Sequence, residues 1–361
     1  MTHEDYMKRA LALARRGLGK TSPNPMVGAV IVKDGRIIGE GYHHRFGGKH
    51  AEVNAIESAT EDVSGATMYV TLEPCCHHGQ TPPCTDAILA SKIKTVVIGI
   101  LDPDHRVSGR SVEILRENGI DCTVGIMEKE CRALNEAYIK HRSTGLPFVT
   151  VKYAQTLDGR IASSSGHSRW ISSPPSHKLA HKLRSRHDAI MVGIGTVIQD
   201  DPRLTVRLVR GRNPHRIILD SRLRISPEAH VLTEQDIAKT TIITTPSAPA
   251  SKLKALEKMG IDVLVVPPDT HGEVDLRQLL KTLGDKNISS ILVEGGAAII
   301  TSFLRLSLAD RLVVITAPRI MGRGVEAVGE LEITEVERAI KLSFEKIYRS
   351  GDDVVIEARI G

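Results

Sequence analysis

The sequence predicts an α/β protein built as two domains, and three observations carry that reading. The first is length: 361 residues exceed one average domain, and a 41% hydrophobic share supplies cores for two. The second is alternation, because short apolar runs of strand type take turns with helix-period segments along the chain. Such alternation implies a largely parallel sheet sandwiched by helices. The third is Ser143-Thr144-Gly145-Leu146-Pro147, the best candidate linker, which divides the chain into residues 1–146 and 147–361. Aromatics make up only 3% of the residues, so aliphatic side chains must dominate the packing.

In the first half, Thr2 with Asp5 three residues on reads as a capping-box helix start, and Met7, Ala10, Leu11 and Ala14 repeat at helical spacing. Gly17 and Gly19 end that helix. In Thr21-Ser22-Pro23-Asn24-Pro25 two prolines are expected to hold the chain extended and to present Asn24 rigidly, where its amide suits a pyrimidine edge. Strands over 27–32 and 36–41 flank Asp34-Gly35, a strong hairpin signal. A helix opens at Lys49-His50 and runs through Val53, Ile56 and Ala59, which puts His50 and Glu52 on its first turn. A strand over 68–72 ends in Glu73-Pro74 and is expected to deliver Cys75 to the start of the next helix, where a thiolate is favoured. A helix around 87–90, a strand over 95–100, a helix to Asn118-Gly119, a strand near 123–126 and a helix over 128–141 complete this half.

The second half opens with an apolar strand over 148–153, then Thr156-Leu157-Asp158-Gly159, then Ser168-Arg169-Trp170-Ile171-Ser172. A helix follows over 177–186; its Lys178, Lys182 and Arg184 read by default as a solvated face. A strand from Ala189 enters a glycine turn at Gly193 and Gly195, which lacks the third glycine of a dinucleotide fingerprint. Strands over 217–221 and 242–244 come next. A strand over 291–294 runs into a helix at Gly295-Gly296, where bare amides can cradle a pyrophosphate. Strands over 312–317 and 354–358 close the chain, the last pairing with 344–349.

The net charge of +5 is modest and the basic residues are dispersed, which fits a phosphorylated small substrate better than nucleic acid. No apolar run reaches the roughly 20 residues of a membrane span. The acidic N-terminus lacks the basic region of a signal peptide. Five cysteines, two of them in a metal pattern, suit a reducing cytoplasm. Cys122 and Cys131 read as small buried residues, and Cys76 as a loop residue that does not ligate.

The chemistry is concentrated in His50-Ala51-Glu52 and Pro74-Cys75-Cys76-His77-His78-Gly79-Gln80-Thr81-Pro82-Pro83-Cys84. One imidazole and two thiolates can hold zinc tetrahedrally with a fourth position open to water. A glutamate two residues after the histidine can move protons beside that water without binding metal. His-x-Glu followed by Pro-Cys and a further Cys is the zinc-deaminase signature. The second cysteine here comes nine residues after the first, and P-C-x-H-x-G-x-T-P-P-C resembles the deaminase of riboflavin biosynthesis. In the second half, K-x-A-x-T-L-D-G, S-R-W-I-S, G-x-G-T…D-D-P-x-L-T-x-R, I-L-D-S and V-E-G-G resemble the reductase domain of the same pathway. Together they cover essentially the whole chain and resemble the bifunctional deaminase–reductase family.

The resemblance implies a cytidine-deaminase-like α/β/α sandwich followed by a dihydrofolate-reductase-like α/β domain. It implies zinc on His50, Cys75 and Cys84, with Glu52 as proton shuttle. It also implies a phosphoribosylated pyrimidine substrate, touched by Asn24 and Asp102 in the first half. In the second half it implies NADPH against Ala154, Trp170, Thr196, Asp200, Ser221 and the turn from Gly296. Substrate there would meet Ser168, Arg184, Leu204, Arg207 and Glu294, with the two arginines as phosphate partners. Lys152 either polarises the opened sugar or is a buried structural lysine at a strand end. The loop after Asp102 departs from the family pattern at Asp104, His105 and Ser111. Homodimerisation through the second half is a further implication.

Two other readings share parts of this pattern. A nucleic-acid-editing zinc deaminase needs a basic, aromatic-bearing face, which this sequence lacks. A non-catalytic zinc module needs a fourth protein ligand, which His77 or His78 can supply, but it leaves Glu52 without a purpose.

Overall fold

The computed structural model describes residues 1–79, 82–104 and 107–361, so His105 of the departures above lies outside the described residues. The chain divides into two compact units, Met1–Gly145 and Leu146–Gly361.

In the first unit α1 (His3–Ala14) starts at a Thr2–Asp5 capping box, as its sequence requires. The hairpin β1 (Gly28–Lys33) and β2 (Arg36–Tyr42) turns at Asp34-Gly35. Next come α2 (Ala51–Glu57), β3 (Thr67–Val70), α3 (Cys84–Ala90), β4 (Thr95–Ile98), α4 (Arg110–Glu117) and β5 (Asp121–Val124). The unit ends in α5 (Glu128–Leu134) and α6 (Glu136–Thr144). The sheet order is β2-β1-β3-β4-β5. It is mixed rather than largely parallel, because β1 runs antiparallel to both β2 and β3 while β3, β4 and β5 are parallel. The two-residue turn at Asp34-Gly35 forces the antiparallel pairing of β1 with β2.

Three further expectations are corrected. Thr21 to Asn24 form a turn closed by Asn24 N–H to the Thr21 carbonyl at 2.9 Å, not an extended run. The expected single helix over 128–141 breaks at Asn135, whose amide accepts from Met26 N–H at 2.8 Å and donates to the Met26 carbonyl at 2.9 Å. Satisfying the distant backbone of Met26 outweighs continuing the helix. The last helix also runs to Thr144, so Ser143 and Thr144 of the expected linker are helical.

Helix α2 sits close on β2 because Gly41 has no side chain: a Cβ there would lie 2.3 Å from the Ala51 carbonyl oxygen. That approach fixes the height of His50 and Glu52 over the sheet. Apolar cores flank the sheet, one with Ile31, Met68, Ile88 and Ile98, the other with Met7, Leu11, Val30 and Val97.

The second unit contains β6 (Phe148–Thr156), β7 (Arg160–Ser163), α7 (Pro174–Arg186), β8 (Ala189–Gly193), α8 (Ile194–Asp200), β9 (His215–Leu219) and α9 (His230–Thr233). They are followed by β10 (Thr240–Thr244), α10 (Ala250–Lys258), β11 (Asp262–Val265), α11 (Leu276–Asp285), β12 (Ser290–Glu294) and α12 (Ala297–Arg305). The last strands are β13 (Arg311–Ala317), β14 (Gly324–Glu326), β15 (Leu342–Ser350) and β16 (Asp353–Ile360). The main sheet has nine strands in the order β11-β10-β9-β8-β12-β6-β13-β16-β15. Pairs from β11 through β13 are parallel; β13–β16 and β16–β15 are antiparallel, the second as the sequence predicts. Helix α7 begins earlier than expected because Pro174 and Pro175 occupy its first turn, where a missing N–H costs nothing. No helix among the described residues is long and apolar enough to cross a membrane.

Candidate active sites

Within the first unit, the ligating atoms of His50, Cys75 and Cys84 all lie within 4.8 Å of one another. His50 caps α2, and its Nδ1 is 3.3 Å from Cys84 Sγ and 3.5 Å from Cys75 Sγ. The expected position of Cys75 is corrected: Cys75 lies in the loop before α3, and Cys84 opens that helix. The helix start nevertheless acts on Cys75, because Cys84 N–H donates to Cys75 Sγ at 3.3 Å. The hydrogen bond between the two sulfurs holds the Cys75 thiol down to about 4, while that bond and burial push Cys84 up. One thiolate ready-made, a second sulfur in contact and one imidazole form a donor set that fits zinc. His77 and Cys76 are not part of this cluster among the described residues.

Glu52 is 3% exposed, and burial pushes its carboxyl up to about 7 against the opposing pull of His50. A carboxyl near neutrality can both take and give a proton. It lines a pocket of about 270 Å³ together with Asn24, His43, His50, Cys75, His77, Asp102, Asp104, Tyr138 and Arg142.

Asn24 and Asp102 therefore both reach the pocket, and both are held. His43 Nδ1 is 3.0 Å from the Lys49 carbonyl and so carries the proton that it donates there. Its Nε2, at 3.3 Å from Asn24 Nδ2, then accepts from that amide. Asp102 accepts from Tyr138 Oη at 3.0 Å and from Asp104 N–H at 2.9 Å, and burial pushes its carboxyl up to about 6. Beneath it Glu73 accepts the N–H groups of Asp102, Gly109 and Ser111 at 3.0–3.1 Å. Ser111, where the family pattern has glycine, is fully buried and donates to the Pro74 carbonyl at 2.5 Å. This departure is absorbed by the loop's own hydrogen bonds.

Sequence reasoning missed His43, Glu73, Tyr138 and Arg142. Tyr138 and Arg142 are four residues apart on α6 and so share a face, a signal that was present; the guanidinium lies 5.6 Å from the ring centroid. His43 and Glu73 had no separable signal, since each is a single polar residue at a strand end.

Within the second unit, a cleft of about 810 Å³ opens at the C-terminal ends of β8, β12 and β6, where ligands bind in parallel sheets. It is lined by Ala154, Trp170, Thr196, Asp200 and Gly296 of the expected cofactor contacts. Lys152, Ser168, Arg184, Leu204, Arg207 and Glu294 of the expected substrate contacts line it as well. Ser221 does not: it lies beyond β9, is 7% exposed, and donates to Glu273 Oε2 at 2.6 Å.

Gly296 caps α12 and its N–H donates to Thr196 Oγ1 at 3.2 Å. Ser168 Oγ donates to Asp200 Oδ1 at 3.4 Å, and Arg169 holds the Asp200 carbonyl at 2.6 Å. Trp170, 67% exposed, stands 4.8 Å from the His177 ring.

Arg184, one of the two arginines expected at the phosphate, has a protein anion beside it. Its guanidinium grips Glu294 with two bonds of 2.9 Å, and Lys152 Nζ stands 3.9 Å from the same carboxylate. Burial raises the Glu294 carboxyl, but Arg184 and Lys152 together outweigh it and hold the group at about 2. Burial also lowers Lys152, with Glu294 opposing. Arg207 is exposed, with one bond at 2.6 Å from Nη1 to Thr205 Oγ1.

Comparison with known proteins finds relatives of both units. Residues 1–100 match the cytidine and deoxycytidylate deaminase zinc-binding region, and residues 147–356 match the RibD C-terminal domain. The chain is 46% identical over 354 residues to the riboflavin biosynthesis protein RibD of Aquifex aeolicus, covering 98% of this chain and 97% of that one. The structure of Acinetobacter baumannii RibD superposes with a TM-score of 0.90 at 35% identity, covering 99% of both chains. A diaminohydroxyphosphoribosylaminopyrimidine deaminase/5-amino-6-(5-phosphoribosylamino)uracil reductase from Thermotoga maritima superposes at 0.87, with 40% identity and 99% of both chains covered.

Proposed function

Because the chain belongs to the RibD family of bifunctional riboflavin-biosynthesis deaminase–reductases, we propose that it carries out two successive reactions on one phosphoribosylated pyrimidine. Residues 1–146 remove the 2-amino group of 2,5-diamino-6-(5-phosphoribosylamino)pyrimidin-4(3H)-one by hydrolysis, releasing ammonia. Residues 147–361 then reduce the ribosyl group to a ribityl chain with NADPH. The nucleic-acid-editing reading is set aside, since relatives that match end to end are riboflavin enzymes.

The observation that carries the first assignment is one imidazole and two sulfurs within 4.8 Å, beside a buried carboxyl. His50, Cys75 and Cys84 would hold zinc, which when bound supplies electrophilic activation of water. Glu52 takes a proton from the attacking water and gives it to the ring nitrogen, then carries the remaining hydroxyl proton of the tetrahedral adduct to the amine, which leaves as ammonia when the C–N bond breaks. Asn24 is fixed by His43 with its Oδ1 left for the pyrimidine edge, and Tyr138 orients Asp102 toward the same ligand. Arg142 is the one lysine or arginine that lines this pocket among the described residues, and it suits the 5′-phosphate.

In the cleft Ala154, Trp170, Thr196, Asp200 and the amides from Gly296 would hold NADPH, the source of hydride. Ser221, just beyond the strand beside β8, is kept only for the cofactor's far end. Ser168, Leu204 and Glu294 position the sugar, with Lys152 beside Glu294 to polarise its opened carbonyl. Arg207 holds the phosphate, and Arg184 both holds Glu294 in place and contacts the substrate beside it. A cytoplasmic location and a homodimer through the second unit complete the reading; the exposed Phe344 and Ile347 on the edge strand β15 support the dimer.

The test is to supply the purified protein with the diaminopyrimidine phosphoribosyl substrate, with free cytidine and with an edited RNA. Ammonia release followed by NADPH oxidation on the first alone is expected. Release from the RNA, or none from the pyrimidine, would sink the assignment.

A further inference from the structure

His177, His181 and Arg184 stand on one face of α7 at spacings of four and three residues, and all three line the second-unit cleft. Arg184 is committed to Glu294. His181 is 7% exposed, and its Nδ1 accepts the main-chain N–H of Arg207 at 2.8 Å and that of Leu208 at 3.5 Å. An imidazole nitrogen that accepts amide protons carries none itself, so the neutral ring keeps its proton on Nε2. Burial, Arg184 and Arg207 hold the group down to about 4, which keeps it neutral at physiological pH. Its Nδ1 is taken, so the hydrogen bond the ring has to offer the cleft is the one from Nε2. The ring is locked by the backbone of Arg207, an exposed cation that lines the same cleft.

We propose that His181 donates from Nε2 to the 5′-phosphate of the reductase substrate, as the neutral companion of Arg207. This rests on the reading of Arg207 as phosphate anchor. A neutral donor beside a cation adds a charge-assisted hydrogen bond without further charge repulsion in the empty cleft. The substitution of choice is His181→Asn in the full-length protein. Asn places an oxygen near the Nδ1 position for the Arg207 amide but falls short of Nε2, whereas Gln reaches Nε2.

The expected result for His181→Asn is a KM for the phosphorylated ribosylamino-uracil raised about 10-fold or more, with kcat little changed. Its KM for the dephosphorylated substrate should equal that of the wild type, and its NADPH affinity by fluorescence titration should be unchanged. His181→Gln should recover part of the loss. An unchanged KM, or an equal rise on the dephosphorylated substrate, overturns the proposal. Lost NADPH affinity in both variants assigns His181 a structural role and overturns it too. Arg207→Ala run in parallel separates the two readings. If it raises KM while His181→Asn does not, His181 alone is wrong; if it leaves KM unchanged, the anchor reading fails.

Discussion

The two pockets differ in size and in the state of their charges. The first is about 270 Å³ and keeps its carboxyls poised, with Glu52 near 7 and Asp102 near 6 because both are buried. The second is about three times larger, at 810 Å³, and its buried carboxylate, Glu294, is pinned at about 2 by two cations. The difference follows from the work required. Hydrolytic deamination moves protons, and a carboxyl does that best when its pKa lies close to the working pH. Hydride transfer needs reactants held in register, so its charges are fixed and its area is large.

The sharpest way to break this comparison is Cys84→Ser. A hydroxyl is a poor substitute for thiolate, so metal content and ammonia release should both be abolished while NADPH-dependent reduction of supplied intermediate continues. Metal analysis and the two assays check this; full zinc occupancy would refute the ligand set.

A smaller effect is expected from Glu294→Gln, which leaves Arg184 and Lys152 buried without their anion. Breaking a buried pair this way costs about 3–5 kcal/mol, so the second unit should melt roughly 10 °C lower. Reduction should fall while deamination persists. An unchanged melting temperature would mean that the ion cluster is not structural.

The pH dependence of stability sharpens the same point. Glu294 lies below its ordinary value, so its contribution is fully present above the usual carboxylate range and is lost as pH falls toward about 2. Thermal scans of wild type between neutral pH and pH ~3 should show a steeper fall than those of Glu294→Gln. Parallel curves would remove Glu294 from the account. The smallest effect belongs to Cys76→Ser, which should keep its zinc and its rates, since Cys76 lies outside the ligand cluster.

Much of this was legible in the sequence. The metal cluster was readable because one histidine and two cysteines at that spacing leave few alternatives, and the capping box and the Asp34-Gly35 hairpin because their chemistry is local. Direction in the first sheet was not, since alternation alone does not report that β1 reverses against β3. Arg184 shows the limit for sites. A guanidinium suits phosphate and carboxylate equally well, and the carboxylate beside Arg184 comes from a strand 110 residues away. His181 was passed over for a related reason: helical spacing placed it on a face, but the amide that fixes its tautomer comes from a loop 26 residues away.

The central claim is that proton transfer belongs to the first pocket and hydride transfer to the second. It is tested most directly by measuring both rates on one preparation of Glu52→Gln whose zinc content has been verified. Gln is nearly isosteric and cannot accept the proton, so ammonia release should fall by about 10²–10⁴ or more. NADPH oxidation with the deaminated ribosylamino-uracil should match wild type. Deamination near the wild-type rate with zinc in place, or loss of reduction along with deamination, would contradict the account.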